Sequence, residues 1–538
     1  MKKIYFALVV MLCMGTLSLH AADWWSSLPV IKVAPDAVPP NNPSNGALRD
    51  AFSGIKDADG NIIQPGGGSA IYELTPGGIY FINGTCNFGT SPVVVRTSGA
   101  GPRAIIIPIT LTGTSSTDIL RSSVNVRFEN LYIYGVEYGT GAAKGGLVRI
   151  LDGGGTSFEF ENCYFDGSSS AALLRFDNVN ANTSTPFVAT VNNCTFRNAV
   201  DYTNVANARA IDLRDSKGVS IEVTNCTFYS ISASTLRQGA VQIDELVFDH
   251  NTVFGSASAF DVGVAENGSV TNNIFYNLGL NGITTGVGSS ITFTSPNDFL
   301  TKVEVKNDLF YRDPAFDQLN QSDPNPGKRY LSGSNILNSA GYNYMNADPS
   351  LVEVSDTLSY AIPFKNPPAS VLPFYQYLWT AGNFGGSIPI DQQTFIRREI
   401  PLAAAPGIAD YKGDNLGTVA PYDFSYPKSS PAATAGVGGT YLGAWAPYDD
   451  TGISPTNTND AVQCWFDGNA KTLNMTFGSS VPVVRISIYS TTGAIVSNQL
   501  VIPNGQTAQF KPAGLSNGVY LFAVEIPDGV MARGKFVY

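Results

Sequence analysis

Hydrophobic and polar positions repeat along the chain in a pattern that predicts short β-strands joined by similar turns. Seven aligned segments share asparagine, two further residues and then Phe or Ile, mostly after residues that alternate between apolar and polar. Such alternation is typical of a strand with one buried face. The asparagines are Asn130, Asn162, Asn193, Asn225, Asn251, Asn272 and Asn307. Their spacing varies from 21 to 35 residues, which favours a coil of constant strands with loops of variable length over helical repeats.

A second family of strands lies between these asparagines. Its members are GLVRILD, ALLRFDN, AIDLRDS, AVQIDEL and AFDVGVA, which align with two columns of apolar residues that we expect to face a core. Together the two families predict a parallel β-helix with rungs about 4.8 Å apart. Asparagine suits the corners because it tolerates left-handed backbone angles. Parallel crossovers are nearly always right-handed, so we expect a right-handed coil.

The outward positions of the second family carry the candidate chemistry. One outward column reads Arg149, Arg175, Asp212, Gln242 and Asp261, and the next reads Leu151, Asp177, Arg214 and Asp244. We expect both columns to lie along one exterior wall of the coil, where an extended polymer could bind. The charges alternate in sign, which also fits cross-strand ion pairs that bind no ligand.

Composition supports an all-β fold and excludes several functions. Of the 538 residues 43% are hydrophobic, while 54 Gly and 32 Pro supply many turns. A net charge of −11 argues against a nucleic-acid partner, which requires a basic surface. The two histidines are too few for zinc sites with several imidazoles. A Ser-His-Asp triad would depend entirely on His250, because His20 lies in the predicted leader.

The first 22 residues predict a secretory signal peptide, since Lys2 and Lys3 precede an apolar run and small residues. We therefore expect a protein that is secreted or held at the cell surface. No later run reaches the roughly 20 apolar residues of a membrane-spanning helix, so none is expected. Cys163, Cys194 and Cys226 each follow a motif asparagine. They predict a buried ladder of thiols, with a disulfide between neighbours as the alternative.

The tail differs from the coil in its pattern of strands. From about Ala461 short alternating strands are separated by turns such as TTGA and PNGQ, which predicts a separate β-sandwich. The predicted domains are a signal peptide at 1–22, an N-terminal cap and first coils at 23–93, the β-helix at 94–448, a linker at 449–460 and the sandwich at 461–538.

Two resemblances follow from these motifs. The asparagine ladder, the short apolar strands and the leader resemble the right-handed parallel β-helix proteins of the pectate-lyase superfamily, over about residues 90–445. In the tail, VRISIYSTTGAIV followed by GLSNGVYLFAVE resembles the C-terminal sorting domain of Bacteroidetes-type secretion by the type IX machinery. The second resemblance implies that machinery as a partner and delivery to the outer membrane surface.

The first resemblance implies an extracellular polysaccharide as ligand and Ca²⁺-assisted β-elimination as the reaction. In such enzymes carboxylates on this strand face hold the ion, and a nearby Arg or Lys removes a proton. The implied Ca²⁺ ligands are Asp177, Asp212, Asp244 and Asp261, out of the six to eight oxygens that the ion prefers. Arg214 is the implied base. The candidate substrate-binding residues are Arg149, Arg175 and Gln242 on the same face, and the aromatic residues Tyr375, Tyr377 and Trp379.

Two other functions stay open. One is a non-catalytic surface adhesin or glycan-binding scaffold on the same coil. The other is a glycoside hydrolase that uses two carboxyl groups about 5–9.5 Å apart, such as those of Asp212 and Asp244. The lyase hypothesis loses its basis if the arginines and aspartates of this face are fully paired with each other and leave no open cluster of oxygens.

Overall fold

A computed structural model of the protein describes residues 24–37, 39–41, 44–111, 117–138, 143–180, 187–199, 207–238, 243–256, 258–262, 265–278, 291–293, 302–311, 313, 352–368, 411–412, 415–416, 422–449, 462–467, 470–477, 483–491, 494–512, 514–526 and 529–538. The chain divides into two compact units, Met1–Pro447 and Tyr448–Tyr538. The predicted linker, 449–460, follows this division and lies mostly outside the described residues. None of the helices in the described ranges has the length and hydropathy that crossing a membrane requires.

The first unit is a parallel β-helix, as predicted, in which each coil adds one strand to each of three parallel sheets. In the described residues sheet 1 has eleven strands: Val30–Val33, Ile71–Leu74, Val93–Thr97, Val126–Glu129, Ser157–Glu161, Phe187–Asn192, Gly218–Thr224, Ile243–Asp249, Ala265–Thr271, Lys302–Lys306 and Val352–Ser355. Sheet 2 has nine there: Ile79–Asn83, Ala104–Ile109, Leu131–Tyr134, Tyr164–Ser168, Thr195–Ala199, Thr227–Ile231, Thr252–Phe254, Ile274–Tyr276 and Leu309–Tyr311. Sheet 3 has eight: Cys86–Asn87, Leu120–Ser122, Val148–Leu151, Ala172–Asp177, Arg209–Asp212, Ser234–Arg237, Ser258–Val262 and Ile291–Phe293.

The remaining elements of this unit are short. The strands Gly54–Lys56 and Ile62–Pro65 form an antiparallel hairpin, as do Tyr411–Lys412 and Asn415–Leu416. The 3-10 helices are Pro431–Ala433 and Val437–Gly439. The α-helix Ala47–Ser53 packs against the core of the first coils, with Leu48 fully buried and the ring of Phe52 edge-on to those of Tyr72 and Phe88.

The corners between sheets 1 and 2 confirm the prediction for asparagine. Six motif asparagines have φ between 51° and 60°, in the left-handed region. They are Asn130, Asn162, Asn193, Asn225, Asn272 and Asn307. The amide of Asn193 donates to Oδ1 of Asn162 at 3.3 Å, and that of Asn225 donates to Oδ1 of Asn192 at 2.9 Å. The corners of successive coils are therefore linked by side-chain hydrogen bonds.

One corner differs from the prediction. His250, with φ of 52°, makes the turn in place of Asn251, and its N–H donates to the carbonyl of Thr271 as the other corner residues do to the next coil. Histidine is among the residues that enter the left-handed region most readily. The motif is therefore offset by one residue in this coil, and Asn251 points into the core, fully buried.

Substitution at a regular corner tests this account. Asn225→Ala is expected to lower the free energy of unfolding by about 2–3 kcal/mol, because alanine is strained at a φ of 54° and the amide hydrogen bond is lost. Asn225→Gly removes the strain and keeps only the loss of the bond, about 1 kcal/mol. Urea unfolding of the three proteins measures the difference, and equal stability of the two variants would contradict a strained corner.

The outer face of sheet 2 is covered by residues 422–445, here called the strap. Trp445 donates from Nε1 to the hydroxyl of Thr227 at 2.8 Å, and the N–H of Ala444 donates to the hydroxyl of Thr252 at 3.0 Å. Phe424 of the strap packs on Tyr229 and is 1% exposed. In these coils sheet 2 is therefore buried on both faces, which leaves sheets 1 and 3 to present outer surfaces.

The second unit is a small β-sandwich, as predicted. Its three-stranded antiparallel sheet has the order Val462–Asp467, Thr472–Phe477 and Thr507–Phe510. Its four-stranded antiparallel sheet has the order Ile495–Val501, Val484–Ser490, Val519–Ile526 and Gly529–Val537. Met475 and Phe510 of the first sheet share one buried cluster with Ile486 and Val524 of the second. The two sheets therefore enclose a common core.

Candidate functional site

Sheet 3 carries a column of charged side chains on its outer face. The register aligns, rung by rung, Arg121, Arg149, Arg175, Asp212, Arg237 and Asp261. The residue before each of the first five is a buried hydrophobic one: Leu120, Val148, Leu174, Ile211 and Leu236. Because neighbouring residues of a strand point to opposite faces, the charged groups that follow these five residues point away from the core, with about 4.8 Å between rungs.

Asp177 lies at the centre of the ion pairs on this face. Its carboxylate pairs with Nη2 of Arg149, and its Oδ1 lies 2.6 Å from Nε of Arg175 and 3.5 Å from Nε of Arg214. Arg149 reaches a second carboxylate, since its Nη1 lies 3.6 Å from Asp118. One carboxylate thus serves three guanidinium groups.

The other two carboxylates of the network are shared in the same way. Asp118 lies 2.6 Å from Nη2 of Arg121, in addition to its contact with the neighbouring rung. Asp212 lies 3.5 Å from Nη1 of Arg237 and 4.0 Å from Nη1 of Arg209. Among the ion pairs of this face in the described residues, six arginines therefore share three carboxylates. This local surplus of positive charge contrasts with the net charge of −11 for the whole chain.

Burial places the two kinds of charge at different depths. The side chain of Asp212 is 5% exposed and that of Asp177 is 11% exposed, whereas those of Arg237 and Arg214 are 32% and 40% exposed. A guanidinium group has five N–H donors, more than its contacts here use. The face therefore presents cationic groups to the solvent above carboxylates that hold them in position.

The structure places some of the predicted residues in the expected column and moves others out of it. Arg149, Arg175 and Asp212 lie in one column, as predicted. Arg237 takes the rung predicted for Gln242, which lies outside the described residues. Asp244 belongs to the strand Ile243–Asp249 of sheet 1 and not to this face.

The error has a simple origin. The apolar alternation of AVQIDEL predicts a strand of sheet 3, but its second half begins the sheet 1 strand Ile243–Asp249. The sheet 3 strand of that coil is Ser234–Arg237. This strand has small polar residues in buried positions, so it shows little alternation. Its signal is the pair Leu236–Arg237, which repeats the hydrophobic–arginine pairs of Val148–Arg149 and Leu174–Arg175.

The predicted calcium ligands do not come together in the described part of the chain. No three His, Cys, Asp or Glu groups there are arranged to hold a metal ion. Asp177 and Asp212 are paired with arginines, and the side chain of Asp261 is not among those described. Ca²⁺ at this face stays a prediction. The aromatic candidates Tyr375, Tyr377 and Trp379 lie outside the described residues.

The cysteines agree with the prediction of a thiol ladder. Cys163, Cys194 and Cys226 are buried and free, and the N–H of Cys163 faces Sγ of Cys194 at 3.3 Å. Burial raises the pKa of Cys163 and of Cys194 well above the usual range, so neither thiol is activated as a nucleophile.

A second pair of titratable groups lies at the corner of His250. Nδ1 of His250 is 2.6 Å from Oδ2 of Asp249, whose Oδ1 accepts hydrogen bonds from Thr271 and Asn272, both at 2.7 Å. Burial opposes ionisation of Asp249, but these bonds and the histidine hold its pKa below the usual value. Within the described residues no hydroxyl or thiol bonds to His250, so the pair lacks the nucleophile of a Ser-His-Asp triad.

No model of a known protein family matches this chain, and no curated protein matches it in sequence. What the structure itself defines is the fold class, which is a parallel β-helix followed by a small β-sandwich. The relation to the pectate-lyase superfamily and to the type IX sorting domain stays a resemblance of sequence motifs.

Proposed function

We propose that this protein is exported and binds an extracellular acidic polysaccharide along the outer face of sheet 3. The observation that supports this most directly is the column of arginines on successive rungs, with three in a row at Arg121, Arg149 and Arg175. Guanidinium groups bind carboxylate and sulfate in a planar, bidentate manner. A regular ladder of such groups suits a ligand whose own anionic groups repeat.

Binding without cleavage fits the ion pairs better than β-elimination does. The implied base, Arg214, and its neighbour Arg175 both pair with Asp177, and Asp212 pairs with Arg237. A Ca²⁺-dependent lyase needs carboxylate oxygens that are open to the ion. The arginines occupy those oxygens, so we favour a surface scaffold or adhesin over a lyase or a hydrolase.

Export is part of the same proposal. The apolar leader with Lys2 and Lys3 supports secretion, and the sandwich with its SNGVYLFAVE strand supports delivery by the type IX machinery to the cell surface. At that location the β-helix would meet polysaccharides outside the cell.

Arg149→Ala is expected to weaken binding to polygalacturonate by about tenfold or more, and Arg175→Ala to do the same, because each removes charge-assisted hydrogen bonds. Binding is measured as the retention of each protein on surfaces coated with polygalacturonate, with alginate as a second polyanion and dextran as a neutral control. Affinity for the polyanions should fall as salt is raised, because these side chains are partly exposed. Arg127→Ala is the matched control, since Arg127 is ion-paired and partly exposed on sheet 1.

The same experiment distinguishes the other functions. Equal retention of dextran and polygalacturonate, or equal weakening by Arg127→Ala and Arg149→Ala, would contradict a polyanion site on sheet 3. Unsaturated products that absorb in the ultraviolet, dependent on Ca²⁺ and lost in Arg214→Ala, would instead establish the lyase.

A further inference from the structure

The residues that follow the corners form a ladder inside the β-helix. They are Cys163, Cys194, Cys226, Asn251, Asn273 and Asp308, each fully or almost fully buried. The backbone N–H of each of the first five faces the side chain of the next, at 3.3 and 3.4 Å to the two sulfurs and then 2.8, 2.8 and 2.7 Å to the three Oδ1 atoms. The ladder of thiols thus continues as a ladder of amides and ends, among the described residues, on a carboxyl group.

The two asparagines show what this position requires of a side chain. Oδ1 accepts the N–H of the preceding coil, and Nδ2 donates to a backbone carbonyl of that coil. Asn251 donates to Val223 at 2.9 Å, and Asn273 donates to Phe248 at 2.9 Å. Val223 and Phe248 are paired in the register of sheet 1, so the two bonds are equivalent. The site therefore needs one acceptor and one donor.

Asp308 supplies the acceptor in the same way. Its Oδ1 accepts the backbone N–H of Asn273 at 2.7 Å and the amide of that residue at 2.9 Å. Its Oδ2 corresponds to the donating nitrogen of the asparagines, but it has no hydrogen-bond partner among the described residues and is buried. The equivalent carbonyl is that of Val270, which pairs with Phe248 in the register. A carboxylate oxygen cannot donate to a carbonyl, whereas a carboxylic acid can.

We propose that Asp308 is a neutral carboxylic acid in the folded protein, that it donates its proton to the carbonyl of Val270, and that this proton makes the stability of the coil sensitive to pH. A buried carboxylate with an unsatisfied oxygen costs far more than a buried, hydrogen-bonded acid. The ladder geometry thus selects the protonated form.

The electrostatic surroundings act in the same direction. Burial raises the pKa of Asp308 well above its usual value, the two bonds from Asn273 oppose this, and the negative charge of Asp249 adds to the rise. The backbone of Asp308 is also paired, since its carbonyl accepts a hydrogen bond from the N–H of Leu358 at 2.9 Å. No Lys, Arg or His of the described residues forms an ion pair with Asp308, and Lys306 on the neighbouring strand lies 4.0 Å from Glu304 instead.

The sign of the pH dependence follows. Between the pKa of an unfolded aspartate, about 3.9, and the raised value of the folded state, the folded protein binds one more proton than the unfolded protein. The contribution of Asp308 to stability is therefore complete below about pH 4. It falls as pH rises, by up to tenfold in the unfolding equilibrium constant per pH unit, until the pKa of the folded state is passed.

The test uses the full chain and the variant Asp308→Asn, which keeps the shape and supplies the donor permanently. From pH 5 to pH 8 the wild-type unfolding constant should rise relative to that of the variant, by up to tenfold per pH unit. Infrared difference spectra should show a protonated carboxylic acid in the folded wild type at pH 7 that Asp308→Asn lacks. Asp177→Asn is the control, since it replaces an ion-paired carboxylate and should leave that band in place.

Two results would overturn the proposal. One is the absence of any protonated carboxyl band from the folded wild type at pH 7, which decides the matter even where the variant does not fold. The other is an identical pH dependence of unfolding for the wild type and a folded Asp308→Asn.

Discussion

Phe196→Ala is expected to lower the free energy of unfolding by about 3–5 kcal/mol, the usual cost of removing a buried phenyl ring. The ring of Phe196 is fully buried between those of Phe165 and Phe228, at centroid distances of 4.6 and 5.0 Å and nearly parallel to both. Backbone hydrogen bonds fix the spacing of the rungs, so neighbouring rungs cannot approach each other to fill the space left by the ring. The cavity therefore persists, and its cost adds to the lost burial.

Urea unfolding followed by circular dichroism measures this effect. The control is Ile63→Ala on the exposed hairpin. Because Ile63 is 59% exposed, this substitution should change the free energy of unfolding by no more than about 0.5 kcal/mol. Similar losses for Phe196→Ala and Ile63→Ala would mean that the stacked rings do not form the core of this coil.

Asp166→Leu is expected to lower the free energy of unfolding by about 3–5 kcal/mol, because it leaves the charge of Arg197 buried without its carboxylate. Asp166 is fully buried and lies 2.7 Å from Nε of Arg197. It also accepts hydrogen bonds from the hydroxyl of Tyr132 at 2.5 Å and the amide of Asn198 at 2.8 Å. Breaking one member of such a network exposes several groups to a medium that cannot solvate them.

A double-mutant cycle separates the cost of leaving one buried charge unpaired from the coupling energy between Asp166 and Arg197. Asp166→Leu combined with Arg197→Met should lose markedly less stability than the sum of the two single changes, since no charge is then left unpaired. Glu159→Ala on sheet 1 is the control, because its pair with Arg127 is partly exposed and should contribute about 1 kcal/mol or less. Additive losses in the cycle would contradict direct coupling of Asp166 and Arg197.

Much of the β-helix could be predicted from local pattern. Alternating residues of sheet 1, such as Val126 and Phe128, face the core of the β-helix. The asparagines that follow the strands form the corners with left-handed backbone angles. These are properties of a few consecutive residues, and the steric tolerance of Asn for positive φ is the same in any context. The column Arg149, Arg175 and Asp212 was predictable for the same reason, since each strand carries its own apolar neighbours.

The candidate site was less predictable, and the coil with His250 shows why. The segment His250–Asn251 offers two residues that can turn a corner, and nothing local decides between them. Stacking decides: with His250 at the corner, Asn251 faces the core and bonds to Asn273 at 3.1 Å. Stacking also places Ser234–Arg237 in sheet 3, where Arg237 lies beside Asp212 on the charged face.

The amino-acid sequence alone settles that this chain forms short strands, asparagine corners and a second unit of antiparallel strands, because strand period and backbone tolerance are local. The fold as a whole decides which rung each strand joins, and with it the partners of Asp177, the place of Arg237 and the buried position of Asp308. Those assignments depend on contacts between residues that are about a coil apart in the chain. Such contacts arise only when the coils stack and water is excluded between them.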